Sequence, residues 1–405
     1  MARVPHIQTQ FGTGWSGKSY SFVTGEGDTA ASNENGSWGA EFNGLVKPWS
    51  RVVDNQQLIK PYVALEENVR EFFEIGNTLS QSVSISKRTD NTDYSFTYSG
   101  LDMDGVIPTD RDSFTKRNFG FNGGTGDDKF SLRSSVNYSH KEQKAVATGQ
   151  GDDAGLGKSM FQDLIQLPND LSLLDMKDET NVFNTAPYFY TPYTTNPYLS
   201  LKNNNTEITK DRVFGNINFN YNFSDSFSAN LQVSADVENE SVKRFGSIVR
   251  YPTGSPQDNA GSQEVVGAVS EANYSNSQFD TFFNLNYKTA ITNDLDLDLL
   301  AGFNYNERKR NVLYIAVTDL DLPNYFEISN SAATPTKSQG DLLARTYGYY
   351  SQALLSYKNL YFLTITARQD ASSTLPIANN SYFYPSASFA GIIADTNDLY
   401  LKGRV

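Results

Sequence analysis

Period-two alternation, sustained over runs longer than an ordinary strand, most constrains what this chain can become. From Val213 one side of the run reads Val213, Gly215, Ile217, Phe219, Tyr221 and Phe223, and the other Phe214, Asn216, Asn218, Asn220 and Asn222. Successive side chains of a strand point to opposite faces, so this is a strand with one apolar and one polar side. Beyond a turn at 224–226 the pattern resumes, Phe227, Ala229, Leu231, Val233, Ala235 and Val237 alternating with Ser228, Asn230, Gln232, Ser234, Asp236 and Glu238. Similar runs occupy 130–138, 279–287, 295–305, 347–357 and 361–368, and several reach 11 to 13 residues. Globular strands average about five or six residues, whereas a tilted bilayer crossing takes about 9 to 11.

The connections fall into two classes. Short ones lie near 87–92, 122–128, 224–226, 289–294, 358–359 and 394–398, and longer segments near 102–112, 140–211, 239–277, 307–344 and 370–381 alternate with them. A transmembrane β-barrel has this asymmetry, with short periplasmic turns and long extracellular loops. Six hairpins predict about twelve strands. The expected fold is therefore all-β, an antiparallel transmembrane β-barrel segment, and a soluble β-sandwich is the competing reading. Tyr138, Tyr221, Phe223, Phe227, Tyr287, Tyr305, Tyr357 and Tyr361 cluster at hairpin ends, as an interfacial girdle would.

Two stretches predict helix. In 65–75, Leu65, Val69, Phe72 and Phe73 recur at helical spacing behind the early acids Glu66 and Glu67, and Gly76 stops the run. Ser159 caps a second helix over 160–167, which ends before Pro168. The expected division is an extracellular loop region over 1–79, then barrel wall over 80–405 with long loops at 140–211, 239–277 and 307–344. The first 60 residues, rich in Gly, Ser and Asn with Trp15, Trp38 and Trp49, read as loop.

Composition removes several classes of function. There is no cysteine and there are two histidines, His6 and His140, too few for thiolate or His-rich metal chemistry, so neither cofactor nor metal is expected. A net charge of −13 argues against nucleic acid as partner. No run of 18 apolar residues supplies a helical membrane span. The first ten residues lack a secretory signal, so either the mature chain stays in the cytoplasm or the exporting segment lies upstream of Met1. Residues 400–405 begin a strand without a turn to follow.

Several local patterns have bland readings. Residues 12–19 (GTGWSGKS) fit the phosphate-cradling spacing, yet VPHIQTQF before them is too polar for a buried strand and YSFVTGEGD after them is no helix, so a glycine-rich loop is the better description. DMDG at 102–105 opens like a calcium loop, but the twelfth position is Ser113 instead of a bidentate Glu. The acidic loop 151–157 and the alternating Asp294, Asp296 and Asp298 suit a solvated loop and a wet lumen or rim better than a metal site. No G-x-S-x-G or H-E-x-x-H occurs, so no catalytic residue is assigned and no enzyme is expected. The one suggestive segment is 187–199 (PYFYTPYTTNPYL): among three prolines, Tyr188, Tyr190, Tyr193 and Tyr198 offer planar surfaces for a ligand, or simply pack the loop against its neighbours.

The order of segments resembles the SusC/RagA-like TonB-dependent transporters of the bacterial outer membrane. The matching pieces are 35–40 (NGSWGA), Trp49, 68–77 (NVREFFEIGN), 82–86 (SVSIS), 92–108 (TDYSFTYSGLDMDGVIP), 196–199 (NPYL), 211–220 (DRVFGNINFN) and 367–373 (ARQDASS) followed by 384–386 (YPS). The resemblance implies a larger barrel, with the 22 strands of such transporters, closed around an N-terminal plug. The signal peptide, TonB-contact segment, plug and remaining strands have no counterpart in these residues, so the chain corresponds to part of the wall. It further implies uptake of oligosaccharide or peptide, with a SusD-like surface lipoprotein and the TonB complex as partners and the outer membrane as location. A passive porin or a surface adhesin barrel without energy coupling is the alternative.

Overall fold

The computed structural model describes residues 7–12, 14–15, 17–19, 36–48, 52–146, 159–189, 194–255, 258 and 264–392. In chain order the elements are β1 (Gly14–Trp15), β2 (Lys18–Ser19), β3 (Val46–Pro48), β4 (Ile59–Pro61), α1 (Asn68–Phe72), β5 (Asn77–Arg88), β6 (Thr92–Asp104), β7 (Phe114–Gly126), β8 (Phe130–Val146), α2 (Met160–Gln166), α3 (Pro197–Asn203), β9 (Asn204–Ser224), β10 (Phe227–Val249), β11 (Val265–Thr292), β12 (Leu295–Thr318), β13 (Thr336–Tyr357), β14 (Tyr361–Ser372) and β15 (Ser381–Gly391). Strands β5 to β15 form one antiparallel sheet of eleven strands in sequence order, while β1/β2 and β3/β4 are separate two-stranded ribbons. Each alternating run seen in the sequence is a strand of this sheet. About twelve were expected; the hairpin at 394–398 lies outside the described residues.

Directly opposed residues on neighbouring strands share a face. Register therefore carries one apolar row from Leu132 and Phe219 through Leu231, Phe283 and Phe303 to Tyr349. The row beside it runs Asn218, Gln232, Phe282, Asn304, Gly348 and Asp370, polar but for one phenylalanine and one glycine. By the same register all eight hairpin-end aromatics named above lie on the apolar face. Their rings touch along one border, Tyr221 to Phe223 at 4.8 Å and Phe223 to Phe227 at 5.0 Å between centroids.

The strands run well past the apolar band, which corrects the expected loop bounds. β9 has 21 residues, β10 23, β11 28, β12 24 and β13 22. The long connections shrink accordingly to 147–203, 250–264 and 319–335. In the extensions toward the long connections the formerly apolar face carries Asp211, Asn239, Ser275, Asn311 and Asp341 in one row across β9 to β13. Where both sides are polar, as over 306–311, or both apolar, as over 312–317, alternation disappears from the sequence while the backbone ladder continues.

The border of the band also moves. On β9 and β10 it ends at Val213 and Val237, which pair with each other; on β12 and β13 it ends at Tyr305 and Tyr347, which lie level with Val233. A boundary that crosses the strands obliquely means strands tilted to it, the geometry that closes a barrel.

Among the described residues, the packed cores lie at the end of the sheet that carries the long connections. Phe72, Ile107, Met160, Leu164, Leu171, Leu173, Met176, Phe189, Tyr198 and Leu201 form one cluster, joining α1, α2 and α3. Phe245, Val269, Val317 and Leu320 form a second, with Phe326 stacked on Phe245 at 4.1 Å. The predicted helix over 65–75 contracts to α1 because tertiary hydrogen bonds take both flanks: Leu65 N–H donates to the Asn169 carbonyl at 3.0 Å and Glu74 N–H to that of Val106 at 2.8 Å. The second helix forms as expected, Ser159 Oγ accepting from Gln162 N–H at 3.3 Å, and ends one residue earlier. The ribbons β1/β2 and β3/β4 correct the loop reading of the first 60 residues.

Both edges of the large sheet stay open among the described residues. β5 and β15 are exposed at every position and have one strand neighbour each.

Candidate functional site

Alternation puts the polar residues of β9 to β14 side by side on one face, and their register makes them a network. Asn230 Nδ2 donates to Asn218 Oδ1 at 3.1 Å and to Asn220 Oδ1 at 2.7 Å, and Asn284 Nδ2 reaches Asn230 Oδ1 at 3.5 Å. Tyr350 Oη donates to Asn284 Oδ1. Arg368 stacks over the Tyr350 ring, 5.3 Å from its centroid, and donates to Asn304 Oδ1 at 2.7 Å and Asp370 Oδ2 at 2.8 Å. Gly302 and Gly348 make room for this: a Cβ at Gly302 would overlap the Tyr350 ring, and one at Gly348 the Asp370 carboxylate. An amide carries both donors and acceptors, so the face is hydrogen-bonded across strands while keeping capacity for water or a polar solute.

Toward the end that carries the long connections the same face becomes charged. Arg212 is bidentate to Asp236, with Nε to Oδ1 at 2.8 Å, and Lys210 lies 2.9 Å from Glu238 and 3.3 Å from Glu240. Lys210 is directly opposite Lys141 on β8, and Lys141 directly opposite Lys116 on β7. No sequence pattern could have found this row, because it exists only through inter-strand register.

The aromatic loop is divided by the structure. Tyr188 is half-buried in the 3₁₀ turn Ala186–Tyr188, and Tyr190 and Tyr193 lie outside the described residues. Tyr198, on α3, is 4% exposed and packs against Phe72 at 5.1 Å between centroids, so its ring offers no surface to a ligand. Its hydroxyl is buried without a hydrogen-bond partner. Burial, helped by the charge of Glu74, pushes its pKa up to about 12.

What sequence reasoning missed here is the polar scaffold of this end. Asn196 Nδ2 donates to the carbonyls of Met176 at 2.8 Å and Asn184 at 3.0 Å, and its Oδ1 accepts from Tyr198 N–H at 3.0 Å. Asn68 Nδ2 donates to Leu171 O at 2.6 Å and Oδ1 accepts from Leu173 N–H at 2.8 Å. Asp163, fully buried, accepts from Thr194 Oγ1 at 2.8 Å, Thr195 N–H at 3.0 Å and the Ser200 hydroxyl. Lys60 holds Asp170 at 3.0 Å; burial lowers the lysine pKa and Asp170 opposes that shift. Asn68 and Asn196 open two of the segments that carried the family resemblance, which gives those asparagines a physical role in fixing loop backbone.

The remaining motifs take structural places. In 12–19 the backbone N–H groups of Gly12, Gly14 and Gly17 already donate to Ala40, Gly36 and Trp38, leaving them unavailable to a phosphate. Asp102 pairs with Arg117. Asp298 lies 3.4 Å from Lys288 and Asp294 3.7 Å from Lys358. His140, on the apolar-parity face of β8, has Nδ1 at 2.8 Å from Asp211 and Nε2 at 3.3 Å from Glu142. Residues 151–157 lie outside the described residues, among which no group of three or more His, Asp or Glu could hold a metal ion.

No protein-family model and no curated relative matches the sequence. The fold matches solved structures of the RagAB peptide transporter: one with TM-score 0.58 and 12% identity, covering 80% of this chain and 35% of that one. The same importer in its open-open state gives 0.58 and 13%, covering 91% and 37%, and in its closed-closed state 0.56 and 14%, covering 80% and 35%. The chain thus spans little more than a third of those chains, and has the fold of a stretch of their barrel wall. The likeness to SusC/RagA-like chains first drawn from motifs is met by a likeness in structure, and these neighbours are transporters, not enzymes.

Proposed function

We propose that this chain is wall of an outer-membrane β-barrel importer, with the apolar band against lipid and the amide network lining the lumen. The observation that carries the reading is the band itself. From Val213 to Phe223, and again from Tyr347 to Tyr357, it is eleven residues long and bounded by aromatic or charged positions. At about 3.3 Å per residue and a tilt near 45°, eleven residues rise roughly 26 Å, the height of the apolar belt of such barrels. The open edges support the same reading, since lipid does not tolerate unpaired strand edges and a closed barrel has none. The remaining strands would come from the rest of a longer polypeptide. In this reading 1–76 and the loops at 147–203, 250–264 and 319–335 face the cell exterior, and the turns at 89–91, 127–129, 225–226, 293–294 and 358–360 the periplasm.

The cargo is an oligosaccharide or peptide drawn through the lumen, a SusD-like lipoprotein covers the outward end, and TonB supplies the energy through a plug carried elsewhere in the polypeptide. The half-buried Tyr188 and the neighbouring Tyr190 and Tyr193 remain proposed loop contacts for that cargo; Tyr198 does not. The chain contains no cysteine, so single cysteines placed in it are unique within it. Cysteine at Leu231 of the complete barrel in vesicles should resist a membrane-impermeant maleimide, and cysteine at Gln232 or Asn218 should react from the aqueous lumen. Equal labelling of both faces would overturn the reading.

A further inference from the structure

We propose that Lys116 and Lys141 form a carboxylate-recognising subsite at the outer mouth of the lumen, resting on the assignment of the polar face to the lumen just made. Lys116, Lys141 and Lys210 are directly opposed on β7, β8 and β9, and Arg212 is diagonal to Lys141. Like charges opposed on one sheet face destabilise it, so a row of three is a cost that the wall itself does not explain. Glu238 and Glu240 neutralise Lys210, and Asp236 neutralises Arg212.

Lys116 and Lys141 make no ion pair with any described residue. Besides the lysines and Arg212, the positions around Lys141 on its face are Ser139 and Gln143 along β8, with Phe114, Asn118 and Ile208 diagonal on the neighbouring strands. None is acidic. Arg308 and Arg310, also on this face and also without an ion pair, stand opposite Gln278 and Asn276 on β11. A chain of net charge −13 thus concentrates unneutralised cations on one face of one rim. Across β8 and β9 the lysine row lies three residues beyond the border at Tyr138 and Val213, just outside the apolar band.

A carboxylate bridging the two ammonium groups relieves their repulsion and supplies the missing counter-charge, with each nitrogen donating to it. Two sources present that chemistry, a uronic acid residue of an oligosaccharide and a glutamate of a peptide.

The complete barrel, its lysines dimethylated with carbon-13 so that they keep their charge, is titrated with tetragalacturonate and with its methyl ester. A peptide pair, Ac-Gly-Glu-Gly-Glu-Gly-NH2 and its Gln counterpart, is titrated alongside. Saturable shifts of the Lys116 and Lys141 signals with an acid but not its neutral partner are expected, and the acid that gives them identifies the source. The double variant Lys116→Gln, Lys141→Gln removes repulsion and so keeps the fold, and should weaken that acid roughly tenfold, as two half-exposed ion pairs would. Equal responses to acid and neutral probes, or an unchanged affinity in the double variant, would overturn the subsite. Vesicle uptake of the same probes tests the importer reading separately, since a barrel that binds the acid and passes nothing keeps the subsite and loses the transport.

Discussion

Arginine at Leu231 separates a lipid-facing band from a protein core. Leu231 sits at the middle of the run from Phe227 to Val237, 38% exposed, opposite Phe219 on one side and Phe283 on the other. At the midplane of a bilayer an arginine on the lipid side costs about 2 to 4 kcal/mol, and near the interface about 0 to 1. Val237 is three side chains further along the same face, at the border, where Asn239 follows. Leu231→Arg should therefore cost about 2 to 4 kcal/mol and Val237→Arg about 0 to 1. Gln232→Arg points among Asn218, Asn230 and Ser234, with Phe282 opposite on β11, and as a solvated surface change should stay within about 0.5 kcal/mol. The measurement is equilibrium unfolding of the complete barrel in phosphatidylcholine vesicles. A cost at Val237 as large as that at Leu231 would indicate burial against protein rather than depth in lipid. Equal costs at Leu231 and Gln232 would remove the assignment of faces altogether.

Three further outcomes follow from the packing. Gly302→Val places methyl groups where the Tyr350 ring lies, and should destabilise the barrel by about 1 to 3 kcal/mol; an unchanged unfolding midpoint would mean that the ring does not rest there. Tyr198→Phe deletes a buried hydroxyl without a partner, so it should be neutral or slightly stabilising, whereas Tyr198→Ala empties a core site and should cost about 3 to 5 kcal/mol. Because that hydroxyl ionises near 10 in the unfolded chain and near 12 when folded, its contribution is complete below pH 10 and lost between pH 10 and 12. The Phe variant should lack that part of the alkaline loss, and an identical alkaline profile would refute the burial. Asn196→Ala leaves the Met176 and Asn184 carbonyls and the Tyr198 N–H without their partner and should cost about 1 to 3 kcal/mol, read as faster limited proteolysis between residues 159 and 203.

Strand identity, the two faces and the hairpins were legible in the sequence wherever one side of a strand is apolar. Asn216 to Asn222 alternating with Ile217 to Phe223 leaves one solution, and the Ser159 cap likewise marks its helix locally. Strand ends were illegible, because alternation stops before the strands do: beyond Val213 both faces turn largely polar, and beyond Tyr305 both are polar over 306–311 and both apolar over 312–317, so period no longer marks a strand. Tyr198 shows the same divide: its place among tyrosines and prolines suited a ligand surface as well as a core, and Phe72, over a hundred residues away, decided between them. So did the flanks of α1, which Asn169 and Val106 draw out of the helix. Composition and period are properties of neighbours in the chain, so the sequence by itself determined an antiparallel sheet with an apolar and a polar side. Register is a relation between distant segments, so only the tertiary structure decided that Asn218, Asn230 and Asn284 make one ladder and that Lys116, Lys141 and Lys210 stand in one row.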